Sequence, residues 1–60
     1  MIRFLKTRGE KPYFYNVGRG KNPVESIIKV DDLYVVTTND RVTQIHEDDV
    51  AIVEFDREED

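Results

Sequence analysis

Leu33-Tyr34-Val35-Val36-Thr37-Thr38-Asn39-Asp40-Arg41-Val42-Thr43-Gln44-Ile45-His46 decides the fold class. Two runs rich in branched and aromatic side chains flank Asn39-Asp40, residue types that tolerate the left-handed backbone of a tight hairpin turn. Closing a hairpin there pairs Thr37 with Val42, Val36 with Thr43, Val35 with Gln44 and Tyr34 with Ile45. One face then carries Tyr34, Val36, Thr43 and Ile45, and the other carries Leu33, Val35, Val42 and Gln44. Both are partly apolar, which predicts strands contacted on two sides.

The same alternation extends outward in both directions. Asp31-Asp32 reads as a turn, its carboxylates able to bond nearby amides. Val24 to Val30 reads as a strand with Val24, Ser26, Ile28 and Val30 on one side. Gly18-Arg19-Gly20-Lys21-Asn22-Pro23 is a loop, because glycine allows positive φ and Pro23 biases Asn22 away from helix. Tyr13 to Val17 is a short strand or an ordered loop arm, and Arg8 to Pro12 is a loop. Ile2 to Thr7 is the first strand, with Ile2, Phe4 and Lys6 sharing a face. Downstream, Glu47-Asp48-Asp49 predicts a single helical turn and Val50 to Phe55 a last strand.

These spacings predict an all-β chain: about five antiparallel strands closed into one small barrel over residues 1–56, followed by an acidic, frayed end at residues 57–60. The expected core is Phe4, Val24, Ile28, Tyr34, Val36, Ile45, Val50, Ile52 and Val53, with Phe14 beside Phe4. Composition agrees. Leu, Ile, Val and Phe number 18 of 60, above the ~20% level below which a highly charged chain stays disordered. Seventeen residues are Val, Ile or Thr, whose branched carbons suit strands.

The order of elements resembles the SH3-like small barrels, the group that includes KOW-type modules. Gly20-Lys21-Asn22-Pro23-Val24-Glu25-Ser26-Ile27-Ile28 is similar to the Gly-Lys turn and following apolar strand of KOW sequences. The stretch from Leu33 through the hairpin to Glu47-Asp48-Asp49-Val50 resembles the end of such barrels, where a strand leads through a helical turn into the closing strand. The likeness covers about residues 18–55, and Pro23 stands near the place of a second KOW glycine. It implies a binding module. The absence of tryptophan argues against recognition of proline-rich peptides, since peptide-binding SH3 domains carry a loop tryptophan.

The chain has no cysteine and one histidine, too few for an ordinary four-ligand zinc site, and no metal or cofactor is expected. His46, among Glu47, Asp48 and Asp49, is the lone imidazole available to activate a nucleophile, so the chain reads as non-catalytic. No apolar run is long enough to span a membrane, and the N-terminus lacks a secretory leader's apolar stretch, so a cytoplasmic protein is expected.

Charge is uneven. Residues 1–30 carry seven Lys/Arg and two acids, a balance of +5; residues 31–60 carry two Arg and eleven acids, a balance of −9. Such asymmetry marks either a binding surface or two halves that face each other in the fold. Two interaction classes follow. A protein partner would be held by Tyr13, Tyr15, Arg19 and Lys21, because tyrosine and arginine dominate interface hot spots. Single-stranded nucleic acid would use Arg8, Lys11, Arg19 and Lys21 with the neighbouring aromatics, cations meeting phosphates and rings meeting bases. The protein partner is the leading expectation, since the pI near 4.8 opposes a polyanion. A homodimer formed by pairing strand edges is a further expectation.

Overall fold

The computed structural model describes residues 1–18 and 23–56. Six strands and one 3-10 turn follow in order: β1 (Ile2–Thr7), β2 (Phe14–Asn16), β3 (Ser26–Val30), β4 (Leu33–Thr37), β5 (Val42–His46), the turn Glu47–Asp49, and β6 (Val50–Phe55). They form two three-stranded antiparallel sheets, ordered β2-β1-β6 and β3-β4-β5. An isolated parallel bridge between Val17 and Val24 laces the sheets at one corner. The Gly20-Lys21-Asn22 segment and residues 57–60 lie outside the described residues.

The central hairpin has the register read from the sequence: Thr37–Val42, Val36–Thr43, Val35–Gln44 and Tyr34–Ile45. The helical turn at residues 47–49 and the bounds of β1 and β6 also match. His46 caps the turn, its Nδ1 accepting from the Asp48 N–H at 3.1 Å.

Ile2, Leu5, Val24, Ile27, Val36 and Val50 form the buried core, with Tyr15, Val17, Tyr34, Ile45 and Val53 packed against it. Three expected core members are misplaced. Phe4 is only half-buried, while Ile28 and Ile52 are exposed. Phe14 is 59% exposed as well. The cause is a bulge in each of β1 and β6 and a bend at the entry to β3. Opposite β6, the register steps from Ile2–Phe55 to Phe4–Glu54, so Arg3 is bulged and Ile2 and Leu5 both face inward. It steps again from Lys6–Ile52 to Thr7–Val50, so Ala51 is bulged and Val50 and Val53 share the core side. At the entry to β3, Glu25 forms a bend, and Val24 and Ile27 are buried in place of Ile28. The short β2 likewise turns Tyr15 inward, opposite Leu5, and Phe14 outward, opposite Lys6.

Among the described residues, no helix is long and apolar enough to cross a membrane.

Candidate functional site

Tyr13 and Tyr15 stand two residues apart on the run leading through β2, so strand alternation puts both on the same side of it. Their ring centroids are 6.5 Å apart with planes tilted by 30°. Thr7 fixes Tyr13 from both directions: its N–H donates to the Tyr13 carbonyl at 3.0 Å, and its Oγ1 accepts from the Tyr13 N–H at 2.8 Å. Tyr15 packs against the core, whereas Tyr13 is 68% exposed. The pair therefore has one anchored ring and one ring offered to solvent.

Both rings line an open groove of about 940 Å³, near the top of the ~300–1,000 Å³ range of ligand clefts. The groove lies where β2 of one sheet meets the β4–β5 tip of the other. Thr38, Asp40 and Arg41 come from that tip, and Pro23 and Glu25 from the entry to β3. The tip is held by Thr38, whose Oγ1 donates to Asp40 Oδ1 at 3.0 Å and to the Arg41 carbonyl at 3.3 Å. Gly18, at φ +71°, lets the chain leave β2, and its N–H donates to the Val24 carbonyl at 2.9 Å. Arg41 is well exposed, and it reaches its own neighbour Asp40 at only 3.7 Å. The groove thus combines two tyrosines, a proline, two acids and a cation.

Of the residues expected at a protein-binding site, Tyr13 and Tyr15 are brought together here. Arg19 and Lys21 lie outside the described residues, but Gly18 and Pro23 on either side of them line the groove. Arg8 and Lys11, expected for nucleic acid, sit exposed in the loop between β1 and β2 and do not line it. The Arg8 N–H donates to the Asp49 carbonyl at 2.8 Å, which draws that loop to the acidic 47–49 turn.

The β4–β5 tip was not expected at the site. Asn39-Asp40 marks a turn, but no local signal says which distant strand the turn will face.

A second cluster lies on the outward side of β2-β1-β6. Phe4 and Phe14 approach with centroids 6.2 Å apart, Lys6 Nζ stands 5.4 Å over the Phe14 ring, and Arg3 pairs with Glu54 at 3.0 Å. His46 Nε2 lies 3.3 Å from Asp32 Oδ2.

No protein-family model matches the chain, and no match to a curated protein or to a solved structure was found.

Proposed function

We propose that this chain is a non-catalytic interaction module that binds a protein partner in the groove walled by Tyr13 and Tyr15, on an SH3-like small barrel. The observation that carries the reading is the tyrosine pair, with Tyr15 anchored against the core and Tyr13 68% exposed at the groove. A rigid aromatic presented at low entropic cost, rimmed by polar groups, is the usual make-up of an interface hot spot. The barrel reading is supported by the β3-β4-β5 meander, the 3-10 turn after it, and the return of β6 to β1. The bulges at Arg3 and Ala51 supply the curvature that closure requires.

The test is affinity capture from host cells with and without nuclease, using the wild type and Tyr13→Ser. A protein partner retained after nuclease and bound about 30-fold more weakly by the variant, ~2 kcal/mol, is the expected result. Tyr13→Ser binding like the wild type while folded would remove the groove from the account.

A second reading rests on the outward Phe4, Phe14 and Lys6 cluster, which offers ring faces beside a cation to an unpaired base. In that case nuclease strips the captured material. Replacing Lys6 by Ala would then flatten the salt dependence by about 0.7 for the lost contact to a single strand.

A further inference from the structure

His46 closes β5 and opens the 3-10 turn, and both of its ring nitrogens are engaged. Nε2 lies 3.3 Å from Oδ2 of Asp32, on the β3–β4 turn. Nδ1 has two neighbours on one residue: the Asp48 backbone nitrogen at 3.1 Å and Asp48 Oδ2 at 3.5 Å. These contacts ask opposite things of one atom. Accepting from the Asp48 N–H needs the Nδ1 lone pair, whereas binding the carboxylate needs a proton there. Each protonation state therefore satisfies only one of them. The Asp32 contact suits both states, because Nε2 carries a hydrogen in the cation and in the neutral tautomer that leaves Nδ1 free to accept.

We propose that His46 is a proton-operated cap of the 3-10 turn. Neutral, with its hydrogen on Nε2, the ring accepts from the Asp48 N–H and donates to Asp32. On taking up a proton at Nδ1 it stops accepting, leaves the Asp48 N–H to water, and donates to the Asp48 carboxylate instead. Asp32 holds the ring through the exchange. An N-cap bond and an exposed ion pair are both modest and of similar size, so neither arrangement swamps the other. The proton decides between them. The charges around the ring come from the two turns: Asp31 and Asp32 on one, Glu47, Asp48 and Asp49 on the other. Glu47 is taken by Lys29 of β3 at 3.0 Å. Leu33, the register partner of His46 in β4, and Val30, beyond it in β3, are uncharged.

The exchange reaches beyond one bond. On one side of Asp48, the Glu47 N–H donates to the Asp32 carbonyl at 2.8 Å; on the other, Val50 is buried in the core. Neither of these depends on the imidazole, so the fold is kept in both states. The piece between them is Asp48-Asp49, and the Asp49 carbonyl accepts from the Arg8 N–H at 2.8 Å. A change at the cap is therefore passed to the anchor of the β1–β2 loop, the segment that leads to Tyr13.

NMR of the isotope-labelled chain tests this through the scalar coupling that a hydrogen bond carries. The Asp48 amide nitrogen and His46 Nδ1 should be coupled at about pH 8 and uncoupled at about pH 5, the span over which an imidazole ordinarily changes charge. The Asp48 and Arg8 amide signals should move with the same midpoint as the His46 ring protons. His46→Asn keeps an oxygen able to cap the turn but cannot titrate, so both amide signals should lose that step. Should His46→Asn fail to fold, the wild-type coupling and the shared midpoint decide alone. A charged ring that merely sat nearby would shift the amides without any coupling. No coupling at about pH 8, a coupling that survives once the ring carries both protons, an Arg8 amide that ignores the His46 midpoint, or a step that persists in folded His46→Asn would each overturn the proposal.

Discussion

Asp31 turns β3 into β4 with φ at 56°, in the left-handed region that side chains with a Cβ avoid. Aspartate and asparagine are the non-glycine residues that tolerate this conformation best, because their short polar side chains bond the adjacent backbone. The two-residue turn leaves Val30 paired directly with Leu33, so the strain is confined to one position. Asp31→Asn is expected to stay within ~0.5 kcal/mol of the wild type, while Asp31→Val should lose ~1–2 kcal/mol. Urea melts check this. A lower midpoint with an unchanged slope reads as lost stability, and equal midpoints for Val and Asn would contradict the expectation.

Strand periodicity made the register of the β4–β5 hairpin legible, because no extra residue interrupts either arm, although neither Asn39 nor Asp40 takes the left-handed backbone expected of the turn. The other strands show what periodicity hides. Ile2 and Leu5, Val24 and Ile27, and Val50 and Val53 are each spaced by three, with Arg3 and Ala51 bulged and Glu25 in a bend. A one-residue slip sends every later side chain to the opposite face, so strict alternation selected Phe4, Ile28 and Ile52 from the wrong side. The site was half-legible for a similar reason. Tyr13 and Tyr15 share a face by local spacing, whereas Arg41 and Thr38 reach the groove through long-range packing. The neighbours Ile27 and Ile28 expose the difference. Ile27→Ala, at a 4% exposed core site, should cost ~2–5 kcal/mol, and Ile28→Ala less than ~1 kcal/mol. A chain of this length has only ~3–9 kcal/mol in total, so the first variant should be largely unfolded on mild warming. Melts of both variants at one low micromolar concentration make the comparison. A reversed order would mean that the bend at Glu25 does not set the parity of β3.

Across the whole molecule, the +5 and −9 halves of the chain are folded against one another. Arg3 meets Glu54 at 3.0 Å and Asp56 at 3.9 Å where β1 and β6 pair, and Lys29 meets Glu47 at 3.0 Å where β3 passes the 3-10 turn. All three contacts join a cation of the first half to an acid of the second. The composition asymmetry therefore reflects, at least in these strands, which elements lie side by side. The partners are about half exposed, so each pair contributes modestly. The Lys29 pair nevertheless leaves a pH signature. The Glu47 carboxylate, first by its hydrogen bond and then by its charge, raises the Lys29 ammonium above the ordinary value of 10.5. A cation whose folded value is raised contributes its full stabilisation below the unfolded value and loses it as pH climbs through the folded one. Wild type should therefore exceed Glu47→Gln in stability at neutral pH, and the gap should close only above about pH 10.5. Urea unfolding of both proteins at neutral pH and across the alkaline range reads that gap directly. A gap unchanged up to strongly alkaline pH would show that Glu47 acts through the 3-10 turn and not through Lys29, and one that closed below pH 10.5 would point to a different titrating partner.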